Sequence, residues 1–557
     1  MKHPAILLQQ LLPGLLLLWA TANGFAQQTV GVLSQTGRET AGYNLFFPNN
    51  QDKVFLVDNN GQLVHHWDDP GNFLPGMSVY LLPNGNLLRC KRPNTKTQDP
   101  IYAPGAGGVV EIVDWKGNLL HEFILNNDTA RLHHDIEPLP NGNVLLVAWE
   151  KFDYEACLQA GRDPATMAQD NILSEMILEW DPQTGQVVWE WHAWDHLVQD
   201  RFPDRQNYGG PALYPGKINL NYDEHDGHPD WLHINSIDYN PVLDQIVVSV
   251  PFFNELWVID HSTTTAQAAT AQGGNAGKGG EILFRFGNDK TWRDTPGEQQ
   301  LFFQHDIHWL DENATAGAED FGKMLLFNNR MPDTTSVGML LTTLEAGTAS
   351  YLNPQNPADL ILKTYRHPLK PEKAYSSGLS NAQKFENGHV LLFSGRYGYA
   401  FELDASGEIV WEYRVPFKAG GTLPQGEVLS VNQNITFQMK RYPADYAAFQ
   451  GKDLSARGLL EELNFTSDVG DTGTVTSLVT VKEEALQVFP NPFSEVLYVL
   501  RKENAAAAEG LKLYSVDGQL VKQLPPGRNE AVIYTGDLPK GIYLGKAGRQ
   551  IIRLVKH

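Results

Sequence analysis

The feature that most constrains this 557-residue chain is a strand–turn–strand pattern that recurs along most of its length. An apolar run, a turn centred on Asn-Gly and a second apolar run appear in "LLPNGNLLRCKR" (81–92), "PLPNGNVLLVAWE" (138–150) and "KFENGHVLLFSGR" (384–396). Asn-Gly favours the positive φ angles of a tight hairpin turn. Two more divergent copies occupy 238–252 and 308–330, the second with an insertion at its turn. The pattern predicts a tandem array of β-hairpins.

A second hairpin, with Asp and Gly in its turn and aromatic residues at its end, follows most copies. Examples are "VFLVDNNGQLVHHW" (54–67), "VEIVDWKGNLLHEF" (110–123), "MILEWDPQTGQVVWEW" (176–191) and "FELDASGEIVWEY" (401–413). Two hairpins make a four-stranded unit, and tandem units of this kind are typical of β-propeller blades. Six units fit between residues 42 and about 418. We therefore predict an all-β chain built on a six-bladed β-propeller.

Two alternatives to six blades are open. A seventh blade is the main one, because "NITFQMKRYPADY" (434–446) adds strand material after the last unit. We interpret that segment as a closing or packing tail. A stacked solenoid is disfavoured, since it does not use a four-stranded meander.

Composition changes divide the chain into four parts. Lys2, an apolar run and small residues at "GFA" predict a signal peptide over 1–26. The propeller is expected over 27–463, and a segment rich in Thr, Ser, Val and Asp predicts a linker over 464–483. Short alternating strands with their own turns predict a small β-sandwich over 484–557.

The charge balance excludes several classes of partner. A formal net charge of −22 argues against nucleic acid or an anionic membrane surface as a partner.

No phosphate-binding loop lies in a strand–helix context, so we expect no nucleotide and no cofactor. After the signal peptide, no segment has the length and apolarity of a membrane-spanning helix. Of the two cysteines, Cys90 and Cys157, we expect isolated buried thiols rather than a disulfide.

Histidines recur at one aligned position of the repeat, where the first strand of each unit begins. The aligned triplets are "HHD" (133–135), "HIN" (233–235), "QHD" (304–306), "LSN" (379–381) and "GMS" (76–78). The first strand of a propeller blade lines the central channel, and its start lies at the same face as the end of its hairpin partner. The residues expected at one mouth of the channel are His133, His134, His233, His305, Arg92, Arg330 and Arg396. An anionic ligand would compensate the buried positive charge there.

Each of these residues also has a structural interpretation. His–Asp pairs at 134–135 and 305–306 can bond one blade to the next, and Arg92 suits a solvated rim. The four histidines are also a possible zinc or copper site. The arginines argue against a cation, so no metal is expected. Recurrence at one aligned position favours a binding or catalytic site.

At these residues the chain resembles the bacterial arylsulfate sulfotransferases that are independent of a nucleotide sulfate donor. The matching segments include "HHDIEPLPNGNVLLVAWE" (133–150), "DWLHINSIDYNP" (230–241), "FFQHDIHWL" (302–310) and "SNAQKFENGHVLLFSGRYGYAFELDASGEIVWEY" (380–413). The resemblance covers roughly residues 30 to 463. It implies a six-bladed propeller in which a histidine accepts a sulfuryl group from an aryl sulfate and passes it to a phenol.

The resemblance also implies roles for particular residues. His233, His305 and Arg330 match group-binding positions, and a histidine is expected on the first strand of the last blade. That strand reads "GLSNAQ" (378–383) here, so His133 or His134 is expected to be the nucleophile. Asp135 or Asp306 is expected to set the histidine tautomer. The residues expected to bind or stack on substrate are Arg396, Arg92, Asn235, Trp149, Phe252 and Phe253.

The last module resembles the type A sorting domain of the type IX secretion system. The matching residues are "FPNP" (489–492), "LYSVDGQLV" (513–521) and "LPKGIYL" (538–544). This resemblance implies the type IX machinery as a partner and a secreted or cell-surface location. Two functions stay open: an exported sulfuryl transferase, and a non-catalytic surface propeller that binds a sulfated or anionic ligand. The missing histidine in the last unit favours the second.

Overall fold

The computed structural model describes residues 28–69, 73–93, 101, 103–105, 107–346 and 348–465, together with parts of 486–556. The chain divides into two compact units, Met1–Val475 and Thr476–His557, and the division falls inside the predicted linker. The predicted signal peptide and nearly all of the predicted linker lie outside the described residues.

The larger unit is built almost entirely of strands. In chain order they are β1 Gly31–Gln35, β2 Gly42–Pro48, β3 Lys53–Asp58, β4 Leu63–Asp68, β5 Phe73–Leu81, β6 Leu87–Pro93, β7 Val109–Val113, β8 Leu119–Ile124, β9 Ala130–Pro138, β10 Val144–Asp153, β11 Asn171–Asp181, β12 Gln186–His192, β13 Leu197–Val198, β14 Ile218–Asn219, β15 Ser236–Asn240, β16 Gln245–Val250, β17 Glu255–Asp260, β18 Phe284–Phe286, β19 His305–Trp309, β20 Lys323–Asn328, β21 Val337–Thr342, β22 Ile361–Tyr365, β23 Asn381–Lys384, β24 Val390–Ser394, β25 Tyr399–Leu403, β26 Ile409–Arg414, β27 Phe417–Lys418, β28 Gly421–Thr422 and β29 Thr436–Pro443. The helices are α1 Tyr154–Ala160 and α2 Thr265–Ala268, with single 3₁₀ turns between strands.

Most of these strands form six sheets of four or five strands, while β13-β14 and β27-β28 are separate two-stranded sheets. In order from first to last strand they are sheet 1 (β29-β2-β3-β4), sheet 2 (β5-β6-β7-β8), sheet 3 (β9-β10-β11-β12), sheet 4 (β15-β16-β17-β18), sheet 5 (β19-β20-β21-β22) and sheet 6 (β23-β24-β25-β26, with β1 outside β26). Neighbouring strands are antiparallel within each sheet, as in the predicted meander. The all-β propeller architecture is confirmed.

The first strands of the six sheets are bonded to one another around a ring. The bonds are Gln438 Nε2 to Val79 O (3.0 Å), Ser78 Oγ to Asp135 Oδ1 (2.5 Å), Ile237 N to Asp135 Oδ2 (3.2 Å), Ile307 N to Ser236 Oγ (3.0 Å), Ala382 N to Asp306 Oδ2 (3.0 Å) and Met439 N to Asn381 Oδ1 (2.9 Å). First strands have no backbone partner on their channel side, so short polar side chains supply the link. The ring joins six sheets, and the sequence predicted six blades.

The segment 434–446 closes this ring. Its strand β29 pairs with β2 and is the first strand of sheet 1, so that sheet combines the two ends of the propeller region. Strand β1 adds a fifth strand to sheet 6, which the repeat pattern did not indicate. Within the described part of the larger unit there is no seventh four-stranded sheet.

The turn chemistry of the outer hairpins explains their regular recurrence. In three of them an Asp carboxylate accepts two backbone N–H groups: Asp58 from 60 and 62, Asp114 from 116 and 118, and Asp404 from 406 and 408, all at 2.8–3.0 Å. A glycine with φ of 77°, 85° or 87° follows each. An Asp that bonds its own turn and a Gly at positive φ are the residues such a turn requires.

The core lies between adjacent sheets. Trp67, Trp180 and Trp257 are almost completely buried there. Burying about 200 Å² of each indole contributes roughly 5 kcal/mol of transfer free energy. Both cysteines are free and buried, as expected. Within the described residues, no helix has the length and apolarity needed to cross a membrane.

The smaller unit consists of two sheets. Its strands are β30 Leu486–Phe489, β31 Val496–Arg501, β32 Lys512–Ser515, β33 Leu520–Gln523, β34 Glu530–Tyr534, β35 Gly541–Ala547 and β36 Gln550–Lys556. Sheet order is β30-β31-β34 in one and β33-β32-β35-β36 in the other. Two small antiparallel sheets match the predicted β-sandwich.

Candidate active site at the channel mouth

The first strands of sheets 3 to 6 all begin with an irregular backbone. His134, His233, Asp306 and Leu379 have φ between 49° and 62°, in the left-handed region. For a residue with a side chain this conformation costs about 1–2 kcal/mol. Such strain concentrates at functional sites, where the surrounding structure holds it in place. The kinks direct the predicted histidines to one end of the channel.

His133 and His134 form a hydrogen-bonded pair that ends on a buried carboxylate. The Nδ1 atoms of the two rings are 2.8 Å apart, and His133 Nε2 lies 2.7 Å from Glu175 Oε2. His133 also stacks on Trp149, with ring centroids 3.9 Å apart. Among the described residues, His134 Nε2 has no hydrogen-bond partner. Glu175, His133 and His134 therefore form a hydrogen-bonded chain that ends at the free Nε2 atom of His134.

The protonation of Glu175 decides which tautomer the two rings adopt. Burial, and then the nearby Asp230 carboxylate, raises the pKa of Glu175 well above its ordinary value. Burial also holds the pKa of both histidines well below 6.5, so both rings are neutral. An ionised Glu175 accepts the His133 Nε2 proton, His133 Nδ1 then accepts from His134, and His134 Nε2 carries a lone pair. A protonated Glu175 reverses every bond in the line.

His233 faces His134 and has a carboxylate of its own. The two ring centroids are 4.5 Å apart. His233 Nδ1 lies 2.5 Å from Asp230 Oδ2, and the ring stacks on Phe252 at 4.4 Å. No described residue bonds to His233 Nε2. A carboxylate at Nδ1 stabilises positive charge on an imidazole, so His233 is suited to donate and accept a proton at Nε2.

His305 lies close by, but both of its ring nitrogens are occupied. Nε2 accepts from Leu379 N at 2.9 Å, which fixes the proton on Nδ1, and Nδ1 lies 2.9 Å from Asn329 Oδ1. Burial lowers the pKa of His305 to about 3. His305 thus links sheet 5 to sheet 6 and has no free nitrogen for an oxyanion. The expectation that His305 contacts the transferred group stays a prediction, and this bonding does not support it.

Two arginines lie beside this cluster. The guanidinium of Arg330 packs over the Phe303 ring at 3.6 Å, and its Nε donates to Ser377 O at 2.7 Å. Its two terminal nitrogens have no partner among the described residues. Arg396 Nη1 donates to Asn432 Oδ1 at 3.1 Å. Burial, and then Arg330, lowers the pKa of Arg396 to about 10, because two like charges lie in one partly buried place.

Phe303 connects the arginines to the histidines. Its ring centroid is 6.2 Å from that of His233 and 5.6 Å from that of Phe252. We call His134, His233, Phe252, Phe303 and Arg330 the channel-mouth cluster. An apolar layer of Met77, Leu379, Ile435 and Phe437 lies against it, and Phe437 is 6.3 Å from both His134 and His305.

Other expected site residues have structural roles. Trp149 is fully buried, stacks on His133 and donates from Nε1 to Asp230 Oδ1 at 3.1 Å, so it presents no face to a phenol. Asn235 Nδ2 donates to Gln304 O at 2.8 Å, and Phe253 belongs to the core between sheets 3 and 4. Arg92 Nε donates to Pro75 O at 3.1 Å within its own sheet.

Asp135 and Asp306 also differ from expectation. Their carboxylates bond sheet to sheet, Asp135 through Ser78, Tyr80 and Ile237 N and Asp306 through Ala382 N. The tautomer-setting partners are instead Glu175, Asp230 and Asn329. Asp230 lies three residues before His233, a spacing visible in "DWLH", whereas Glu175 lies on β11 and only the sheet pairing brings it to His133. The sequence pattern also did not indicate His225, whose ring centroid lies 3.8 Å from that of Phe252.

The sequence matches the arylsulfotransferase (ASST) family over residues 30–441. This is most of the chain, and it includes the six sheets except the last two residues of β29, together with the whole channel-mouth cluster. The chain belongs to this family. The family supports an arylsulfotransferase-like function, with aryl sulfates and phenols as the substrates it indicates.

Residues 487–556 of this arylsulfotransferase-family chain match the secretion system C-terminal sorting domain. The predicted type IX sorting domain is confirmed, and it indicates export to a secreted or cell-surface location. No curated protein matches the chain.

Solved structures with low sequence identity resemble the chain. A protein of unknown function from Bacteroides caccae is 10% identical, with a TM-score of 0.37 over 72% of this chain and 98% of that one. The Cps50 (Swd1) β-propeller domain of Myceliophteria thermophila is 8% identical, with a TM-score of 0.30 over 67% and 94%. The Dos1 propeller is 9% identical, with a TM-score of 0.26 over 95% and 94%.

Proposed function

We propose that this chain moves a sulfuryl group from an aryl sulfate to a phenol, with His134 Nε2 as the nucleophile. The observation that carries the proposal is the neutral His134 ring, whose Nδ1 is engaged by His133 and whose Nε2 is free beside His233. A neutral imidazole that attacks and then leaves gives a two-step, ping-pong route.

In the first step the His134 Nε2 lone pair attacks sulfur. The N–S bond forms, the S–O bond to the aryl group breaks, and the phenolate takes the proton of His233 Nε2–H. The sulfated His134 ring bears a positive charge, which is relieved as its Nδ1 proton shifts to His133 and the His133 Nε2 proton shifts to Glu175. A raised pKa makes Glu175 a good acceptor for that proton.

In the second step the protons return. His233 Nε2 takes the proton of the acceptor phenol, whose oxygen attacks sulfur while the S–N bond breaks. Glu175 gives back its proton through His133. The products are the free donor phenol and a new aryl sulfate, and the enzyme recovers its starting proton count.

Positive and aromatic groups suit such a substrate. Sulfuryl transfer, like phosphoryl transfer, develops charge on the equatorial oxygens, which fixed positive donors stabilise. The free terminal nitrogens of Arg330 can donate to two of these oxygens. The buried rings of Phe252 and Phe303 pack on His233 and Arg330 and make the surroundings of these groups apolar, which suits an aryl group nearby.

A non-catalytic surface protein that binds an anionic ligand is the second candidate. The observation that favours it is that β23, the first strand of sheet 6, carries no histidine, together with the bonding of both ring nitrogens of His305. Such a protein would use the same arginines but would release no phenol.

Phenol release from 4-nitrophenyl sulfate, with and without a second phenol, separates the two. We expect release that the acceptor stimulates, and a loss of about 100-fold or more in His134→Asn and in His233→Asn. His121→Asn is the matched control, since His121 lies on the outer strand β8 and, among the described residues, its ring bonds only to Gln183. Undiminished release in His134→Asn would refute the proposed nucleophile, and no release by the wild type would favour the binding protein.

A further inference from the structure

The opposite end of the channel holds a cavity lined by carboxylates. The cavity has a volume of about 570 Å³. The apolar layer of Met77, Leu379, Ile435 and Phe437 lies between it and the channel-mouth cluster. Carboxylate oxygens of Glu137, Asp238 and Glu312 lie within 4.8 Å of one another. They come from three successive sheets: from β9, from β15 and from the β19–β20 turn. Side chains from three separate hairpins thus converge on one point.

Glu137 is the residue that ordinary packing does not explain. Its side chain lines the cavity, the residue is only 8% exposed, and its carboxylate has no hydrogen-bond or ion-pair partner among the described residues. By contrast, Asp238 Oδ2 accepts from Trp309 N at 2.6 Å, and Asp135 accepts four hydrogen bonds. A buried carboxylate without any partner costs several kcal/mol, so its burial points to a missing cation.

The charges around the cavity are also unbalanced. Glu137, Asp238, Asp306 and Glu312 line it, and Lys440 is the only lysine or arginine among its described lining residues. The Lys440 ammonium lies over the Tyr80 ring at 4.2 Å and forms no ion pair within 4.0 Å of a described carboxylate. One ammonium at this distance leaves an excess of negative charge close to Glu137.

We propose that Glu137, Asp238 and Glu312 bind a divalent cation, with Ca²⁺ as the best fit. Ca²⁺ takes oxygen ligands at about 2.3–2.6 Å, so two ligands of one ion lie at most about 5 Å apart, and the three carboxylates, all within 4.8 Å of one another, meet this limit. The cavity has room for the waters that complete a coordination shell of six to eight oxygens. Mg²⁺ is less suited to three protein carboxylates, because it demands near-ideal octahedral geometry and is usually bound through one or two carboxylates. The ion would join sheets 3, 4 and 5 at the end of the channel away from the channel-mouth cluster.

The test is calcium binding by the full chain, measured by isothermal titration and by the melting temperature with Ca²⁺ or with a chelator. We expect Ca²⁺ to bind and to raise the melting temperature, with Mg²⁺ weaker by at least about tenfold. Glu137→Gln should weaken Ca²⁺ binding by at least about tenfold. Glu319→Gln is the matched control, because Glu319 lies in the same β19–β20 turn with its side chain 93% exposed.

Folding does not confound the result. If Glu137→Gln fails to fold, Glu312→Gln removes an exposed member of the same triad and must also weaken binding. The proposal is overturned if Ca²⁺ leaves the wild-type melting temperature unchanged, or if both variants bind Ca²⁺ as tightly as the wild type. Neither calcium binding nor the melting temperature measures sulfuryl transfer. The outcome of this test is therefore independent of the test of the proposed activity.

Discussion

In the proposed mechanism Glu175 controls whether His134 can act as the nucleophile, and Glu175→Gln tests this directly. In the wild type, Glu175 Oε1 accepts from Ile234 N at 2.9 Å while Oε2 takes the His133 proton. A glutamine has only one acceptor oxygen. If that oxygen stays on Ile234 N, its NH₂ group donates to His133, both rings reverse, and His134 Nε2 carries a proton instead of a lone pair.

The magnitude follows from the alternative glutamine orientation. To keep the productive tautomers, the amide must turn its NH₂ group towards Ile234 N–H, which leaves that buried donor unpaired. An unpaired buried donor costs about 1–3 kcal/mol, so sulfuryl transfer should slow by roughly 5- to 150-fold. Glu179→Gln on the same strand is the matched control, since Glu179 bonds to Asn141, Asn143 and His261 at the other end of β11.

The assay is the pH dependence of kcat for phenol release. The active wild-type form has an ionised Glu175, so the rate should rise with pH through the raised Glu175 pKa, above the ordinary value of 4.5. In Glu175→Gln, kcat should be lower and should no longer rise with pH in this range, because the glutamine side chain has no proton to release. A pH profile in Glu175→Gln that parallels the wild type would refute the reasoning, even if its rate is low.

Three further outcomes are expected. Arg330→Ala should lower kcat/KM for the aryl sulfate by about 10- to 150-fold, because charge-assisted hydrogen bonds contribute about 1.5–3 kcal/mol; an unchanged kcat/KM would exclude Arg330 from the site. Asp230→Asn should lower kcat by about 100-fold or more with little change in KM, since His233 loses the carboxylate that stabilises its charge; steady-state kinetics at saturating donor measure this. Burial lowers the pKa of His305 to about 3, so stability from this residue is present above 6.5 and is lost as pH falls towards 3. Urea unfolding should show the wild type losing about 1.4 kcal/mol per pH unit relative to His305→Gln below 6.5, and parallel curves would contradict it.

Much of the fold could be predicted from the sequence because its information is local. Asp–Gly and Asn–Gly turns recur at fixed spacing, and each is bonded as such turns require. Aligning the repeats also placed His134 and His233 at one mouth, since equivalent positions of a propeller share one end of the channel. The closing role of 434–446 was predicted, although its position as the first strand of sheet 1 was not.

The functional state of each residue depended on contacts that no alignment of repeats contains. His134 and His305 occupy the same aligned position in sequence, yet His305 is fully bonded because Leu379 N and Asn329 face it. Glu175 is distant in sequence and carries no motif, so its place beside His133 follows only from the pairing of β10 with β11. Trp149 appeared available to stack on substrate because burial cannot be read from one aromatic residue.

The central claim is that His134 becomes sulfated during turnover. The most direct measurement is to mix the protein with 4-nitrophenyl sulfate in the absence of an acceptor, quench the reaction under alkaline conditions, and locate the added SO₃ group by peptide mass spectrometry. The account predicts SO₃ on His134, its loss when a phenol is added before the quench, and none in His134→Asn. SO₃ on His233 or on His305 instead, or none on any histidine of an enzyme that is turning over, would contradict it.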